Sequence, residues 1–231
     1  MNTPEHAIDA DHIHPILNPL TMAQFGELST LYASALREIA ARLENLNQEF
    51  ELRKERNPIQ HMTQRLKRPE SILDKLQRLG QPLCYEAIRR EIRDIAGIRV
   101  ICSYVSDLYD LAYMLLAQDD VRLLQRKDYI ASPKANGYRS LHLLVEVPVY
   151  LSSRKQMIPV EIQLRTIAMD FWASLEHEMR YKALAAVPDN LRRRLTLLAE
   201  KVYDADMEMQ QIHQCLVHRQ YVSGHEKAPC Q

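Results

Sequence analysis

The apolar residues of this chain change their period part-way along it. From about Met22 to Arg56, Phe25, Leu28, Leu31, Tyr32, Ala35, Ile39, Leu43 and Leu46 recur every three or four residues. That is one face of a long amphipathic helix. After "NPIQHMTQRLK" interrupts it, "PESILDKLQRLG" predicts a second helix, with Pro69 in its first turn and Gly80 at its C-terminal cap. A short helix is expected over Tyr85–Arg90. From there β-branched runs take over. "IAGIRVIC", "VRLLQRKDYI", "YRSLHLLVEVPVY" and "MIPVEIQLRT" read as strands. A helix in "SDLYDLAYMLLAQ", with Ser106 as N-cap, separates the first two. Two more helices follow, near Ala168–Lys182 and Asp189–Val217. The pattern predicts an α+β fold: a mixed or largely antiparallel sheet of about five strands, flanked by long N- and C-terminal helices. One domain is expected over residues 21–218, with an N-terminal arm (1–20) before it and a flexible tail (219–231) after it.

Composition excludes several classes. The chain has 231 residues, 46% hydrophobic and 26% charged, an ordinary balance for a globular protein. No stretch of about 18 apolar residues offers a membrane span, and "MNTPEHAIDADHIH" lacks the basic and apolar segments of a signal peptide. Cys84, Cys102, Cys215 and Cys230 have no metal-binding spacing, so free thiols in a cytoplasmic location are expected. Among only five glycines there is neither a P-loop nor a G-x-G-x-x-G turn. "HEMRY" begins like a zinc-protease motif, but Tyr181 stands where the second histidine belongs. No Gly-x-Ser-x-Gly elbow is present.

Net charge is zero, yet Glu51–Arg93 holds 11 Lys and Arg against 6 Asp and Glu. A local basic block in a neutral chain suits an anionic ligand held at one place, or a solvated helix face. Side chains alternate faces along a strand. In "PVEIQLRT", Val160, Ile162 and Leu164 face the core, and Glu161, Gln163 and Arg165 face the other way. In "NGYRSLHLL", Tyr138, Ser140 and His142 would share a face, and Asn136–Gly137 would make the turn that presents them. The plainer account of both is the wet side of a half-covered sheet. Asp94 before one strand and Glu161 on another could hold Mg²⁺, which takes one or two carboxylates plus phosphate oxygens and water. Arginine and tyrosine planes, such as Arg99 and Tyr138, stack on nucleobases. These are the residue types of metal-assisted transfer between nucleotides.

"RLKRPESILDKLQR", "RDIAGIRVIC", "KDYIASPKANGYRSLHLLVEVPV" and "VEIQLRTIAMDFWASLEHEMRYK" resemble the synthetase domain of the RelA/SpoT family. The resemblance runs from about Arg65 to Lys182 and is nearest to the single-domain small alarmone synthetases, which have a nucleotidyltransferase-like fold. It implies a GTP/GDP pyrophosphokinase that moves the β,γ-pyrophosphate of ATP to the ribose 3′-OH of GTP or GDP, releasing AMP and making pppGpp or ppGpp. On this resemblance Arg65 and Arg99 sandwich the adenine, and Lys67, Ser71, Lys75 and Arg78 line the ATP phosphates. Asp94 holds Mg²⁺, and Glu161 is either its second ligand or the base that activates the 3′-OH. Tyr138 stacks on guanine, Lys134 and His142 meet the acceptor phosphates, and Gln163 supports the site. Lys127 belongs to the acceptor site. The family's R-x-K-D segment reads "QRKD" here, so Gln125 replaces its arginine, with Arg126 adjacent.

The resemblance further implies a homotetramer built through the terminal helices, and a (p)ppGpp activator or single-stranded RNA as regulatory ligand. His61 and Thr63 lie near the segment that matches the activator site. The chain has no His-Asp dipeptide, so alarmone hydrolysis is not expected. Two other readings compete. Toxic relatives pyrophosphorylate the 3′ end of tRNA or adenine nucleotides, and a non-catalytic nucleotide- or RNA-binding module could keep the same surface. Both Asp94 and Glu161 are retained, which speaks against the second.

Overall fold

The computed structural model describes residues 22–54, 56–182 and 188–225. The arm over 1–20 and residues 226–231 lie outside them. Helix α1 (Met22–Lys54) matches the apolar stripe: Leu28, Leu31, Tyr32, Ala35, Ile39, Leu43 and Leu46 are all buried. The stripe crosses the back of a five-stranded sheet of order β1 (Ile59–Leu66), β2 (Ala96–Cys102), β5 (Lys155–Thr166), β4 (Leu141–Tyr150), β3 (Arg122–Asp128). Among the described strands only the β2–β5 pair is parallel. Ile98, Val100, Leu143, Val145, Val160, Ile162 and Leu164 form the sheet's side of this core. Each buried aliphatic side chain contributes about 1.5–3 kcal/mol, so this face fixes the register of the whole sheet.

Strand β1 occupies the segment that interrupts the helical pattern. Its burial is almost one-sided solvent exposure, with Ile59 buried and most of the rest exposed. An edge strand with a polar outer face carries little apolar alternation for a sequence to display. Helix α4 (Val105–Leu116) starts one residue before the expected Ser106 cap. The Asp107 carboxylate accepts the Tyr104 backbone N–H at 3.3 Å, while the Ser106 N–H donates to Gln210 Oε1 at 2.9 Å. Asp107 is fully buried and pairs with Arg56, so capping there is done by a buried ion pair.

Helices α2 (Pro69–Arg78) and α3 (Tyr85–Glu91) bury Ile72, Leu76, Ala87 and Ile88 in the main core. Pro69 opens α2 as expected, and Gly80, at φ 62°, follows its C-cap Leu79. Helix α5 (Ile167–Lys182) leaves β5 directly and packs on β2 and β5. Helix α6 (Asp189–His225) packs on α5 and α4 and continues well past the expected end at Val217.

Candidate active site

Cross-strand pairing carries polar side chains in rows over the sheet face opposite α1. One row joins Thr63, Arg99, Gln163, His142 and Lys127 through all five strands. The next joins Arg65, Gly97, Glu161, Leu144 and Gln125. Paired residues on neighbouring strands point to the same face, so Arg65, Arg99, Glu161, Gln163, His142 and Lys127 share a surface. Gly97 leaves the floor between Arg65 and Glu161 without a side chain. A cleft of about 220 Å³ runs between Lys75, Asp94, Glu161, His142 and Lys127, which joins the two halves of the expected site.

On one half, Asp94 ends the segment before β2. Its two oxygens accept from Lys67 Nζ at 2.7 Å and Lys75 Nζ at 2.8 Å. Burial is the largest single effect on this carboxyl and pushes its pKa up, but the two ammonium partners together outweigh it and hold the pKa below the ordinary value. Asp94 is therefore ionised at neutral pH. Ser71, Lys75 and Arg78 share a face of α2, since residues four and seven apart align along a helix. Of these three, Lys75 lines the cleft, and Arg78 is exposed with its Nε on the Asp74 carbonyl.

On the other half, the turn at Asn136–Gly137 is built as expected. Gly137 has φ 90°, its N–H donates to the Lys134 carbonyl, and Asn136 Oδ1 accepts the Tyr138 N–H. Strand β4, however, begins only at Leu141. Tyr138 and Ser140 therefore precede the strand and do not share a strand face with His142. Ser140 is fully buried and donates to the Leu164 carbonyl at 3.0 Å. Tyr138 and His142 still meet, because the Tyr138 hydroxyl lies 2.9 Å from His142 Nε2. The Lys134 ammonium sits 4.6 Å from the ring centres of both Tyr129 and Tyr138.

A hydrogen-bonded chain then runs to Glu161. Arg165 Nη2 donates to the Tyr138 oxygen at 2.7 Å, and His142 Nδ1 lies 3.5 Å from Glu161 Oε1. Arginine can only donate. The phenol oxygen thus accepts from Arg165; when its own proton goes to His142 Nε2, the single proton of the neutral ring sits on Nδ1, toward Glu161. Gln163 Nε2 donates to Glu161 Oε2 at 3.1 Å. The hydrogen bond from His142 is the main cause that lowers the Glu161 pKa. Burial and the Asp94 charge oppose it, the Gln163 bond adds to it, and the net direction is down. Both cleft carboxylates are therefore anionic.

Two residues of this network have no role that the sequence alone assigns. Arg165, only 5% exposed, holds Tyr138, Gln163 Oε1 at 3.3 Å and Asp170 Oδ1 at 2.9 Å. Asp170 in turn lies 3.4 Å from Arg99. Burial, then repulsion from Arg165, lowers the Arg99 pKa, although a guanidinium stays charged at neutral pH. The signal for Arg165 was its alternation with Glu161 and Gln163. Nothing local in the sequence could show that α5 would cover it and supply Asp170. At the R-x-K-D position, Gln125 lines the cleft, while Arg126 bonds Asp128 at 3.2 Å and lies over the Tyr109 ring, so it does not take the missing arginine's place.

Among the described residues, no group of three or more His, Cys, Asp or Glu side chains is arranged to hold a metal. Asp94 and Glu161, two anionic carboxylates on one cleft, fit a cation that takes its other ligands from phosphate and water.

Two carboxylates between a lysine–arginine half and a tyrosine–histidine–lysine half, on an α+β sheet, define an enzyme of nucleotide phosphate transfer. The chain belongs to the RelA/SpoT family: the family model for the region found in RelA and SpoT proteins matches residues 64–185. The GTP pyrophosphokinase YwaC of Bacillus subtilis is 44% identical over 179 residues, 78% of this chain and 85% of that protein. The crystal structure of small alarmone synthetase 1 from B. subtilis bound to its product pppGpp superposes with a TM-score of 0.74 at 36% identity, covering 83% of this chain and 97% of that one. Its structure bound to AMPCPP gives 0.68 at 31% identity, covering 83% and 97%.

Proposed function

We propose that this protein is a GTP/GDP pyrophosphokinase that makes pppGpp and ppGpp. The observation that carries the proposal is the single cleft on which Asp94 and Glu161 lie together, with Lys75 on one side and His142 and Lys127 on the other. In the reaction the acceptor's 3′ oxygen attacks the β-phosphorus of ATP. The bond from that phosphorus to the α–β bridging oxygen breaks, and AMP leaves. The donor would lie over Arg65 and Arg99, with Lys67, Ser71, Lys75 and Arg78 toward its phosphates. Lys67 and Lys75, now shared with Asp94, would turn to the phosphates and release the carboxylate. Mg²⁺, held by Asp94 with Glu161 beside it, would supply charge neutralisation on the transferred group.

The acceptor base would stack on Tyr138 once it displaces the Lys134 ammonium. Lys134 and Lys127 would then meet its phosphates, while His142, with one ring nitrogen on the Tyr138 hydroxyl and the other toward Glu161, braces Glu161 together with Gln163 and does not reach them. Glu161 is ionised and would receive the 3′-hydroxyl proton, and the Arg165–Tyr138–His142 chain keeps its carboxylate aimed. Free thiols at Cys84, Cys102 and Cys215 support a cytoplasmic location. Phe171, Leu175, Met179, Leu197, Leu198 and Met209 on α5 and α6 are 44–57% exposed. Such a surface supports burial between copies of the chain, as in a homotetramer. Label transfer from ATP to GTP or GDP, with AMP released in equal amount, tests the activity. Transfer to tRNA or AMP alone would favour a different acceptor.

A further inference from the structure

The turn that presents Tyr138 rests on α6, which lies beyond the family-matched residues 64–185. A Cβ on Gly137 would stand 2.5 Å from Ala199 Cβ, so the two backbones meet at the closest approach a glycine–alanine pair allows. Tyr138 packs on the cluster of Trp172, Ala173 and Ala199. The Arg139 guanidinium lies 3.8 Å from the Tyr203 ring centre, and its Nη1 donates to the Ile130 carbonyl at 2.9 Å. Arg139 therefore pins the start of the loop to its end, and both to α6.

The helix beneath is itself fixed at several points. Trp172 Nε1 donates to the Leu195 carbonyl at 3.0 Å, and the Thr166 hydroxyl donates to the buried Asp206 carboxylate at 2.6 Å. Gln210 accepts from the Ser106 N–H, and the His213 ring stacks on Tyr104 with centres 4.2 Å apart. A rigid rail held to α5, β5 and α4 thus carries the segment that would bind the acceptor, and no comparable contact reaches from it to Asp94 or Lys75 among the described residues.

We propose that α6 sets the affinity for the acceptor nucleotide. Ala199 and Tyr203 are positioning residues that act through Gly137 and Arg139 on Tyr138. This rests on the reading of Tyr138 as the acceptor platform. The test compares Ala199→Leu, Tyr203→Leu and Tyr203→Phe in the full chain. It measures KM for GTP, affinity for an ATP analogue, kcat and the melting temperature. Misplacing a binding group by about 1 Å can cost up to about a hundredfold. Ala199→Leu is accordingly expected to raise the GTP KM by about tenfold or more while ATP-analogue affinity stays within about twofold. Tyr203→Leu should raise the GTP KM by about fivefold from its lost cation–π contact, whereas Tyr203→Phe, which keeps the ring, should match wild type. Equal losses of GTP and ATP affinity, or an unchanged GTP KM in folded Ala199→Leu and Tyr203→Leu, would overturn the proposal. Should Ala199→Leu not fold, the Tyr203 pair decides alone. Wild type that makes no pppGpp would instead refute the proposed function.

Discussion

Replacing Tyr138 by phenylalanine and by alanine separates its ring from its hydroxyl. Base stacking on an aromatic ring is worth about 1–3 kcal/mol. Against this stands the displaced Lys134 ammonium, now 4.6 Å from the ring centre, whose cation–π contact at an exposed site is worth about 0.5–1 kcal/mol. The mid-range values leave a net of about 1.2 kcal/mol, which converts to a rise of about eightfold in the acceptor KM for Tyr138→Ala. Tyr138→Phe keeps the ring and should leave that KM within about threefold of wild type. It removes the hydroxyl between Arg165 and His142, so His142 loses its partner at Nε2 and kcat should fall. Stability should drop by about 1–2 kcal/mol for Phe, from two lost hydrogen bonds. For Ala the drop should be about 2–3 kcal/mol, because packing on Trp172, Ala173 and Ala199 is also lost. Steady-state kinetics with varied GTP, ATP-analogue titration and urea unfolding read all three quantities. Equal loss of donor and acceptor affinity in Tyr138→Ala, or an acceptor KM as high in Phe as in Ala, would show that the Tyr138 ring is not the acceptor platform.

Glu161→Gln should bind both nucleotides yet lose turnover by about a thousandfold or more; a variant with full turnover in a rapid-quench assay would remove Glu161 from the chemistry. Asp94 and Glu161 both have lowered folded pKa values. The stability they lend is present above the ordinary carboxylate values near pH 4 and is lost as pH falls through the lowered folded values; urea midpoints from pH 7 to pH 2 would follow it. Asp206 is the reverse case. Burial, the main cause, raises its pKa against the Thr166 hydrogen bond, so its ionised form costs stability at neutral pH. Asp206→Asn should therefore raise the melting temperature at pH 7, with the gain vanishing in acid. On the proposed homotetramer, Phe171→Ser with Leu197→Ser should lower the mass seen in light scattering while leaving secondary structure unchanged, since both side chains are more than half exposed; a mass unchanged from wild type would contradict burial of this surface between copies.

Much of this was legible because it is periodic. The α1 stripe and the Val160–Ile162–Leu164 alternation read directly as buried faces, and each fixed a register. Asp94 and Glu161 were legible as residue types, but their meeting on one cleft depends on the parallel pairing of β2 with β5, which no local pattern encodes. Strand β1 escaped because its outer face is polar. Ser140 misled because the strand begins one residue after it, so alternation does not extend back to Tyr138. Arg165 was visible on the right face of β5, yet its function depends on Asp170 from α5 and the Tyr138 hydroxyl from a loop, contacts set by tertiary packing. The α6 rail was likewise silent, since Ala199 and Tyr203 look like ordinary helix residues until Gly137 and Arg139 are seen against them.

Transfer of pyrophosphate from ATP to a guanosine nucleotide in this cleft is open to a single assay. The purified chain is incubated with Mg²⁺, ATP labelled in its γ-phosphate, and GTP, GDP, AMP or tRNA in separate reactions. Labelled pppGpp from GTP and ppGpp from GDP, each with one AMP released per product, is the predicted result. Label found only in tRNA or an adenine nucleotide, or no transfer from a chain that binds ATP and GTP, would contradict it.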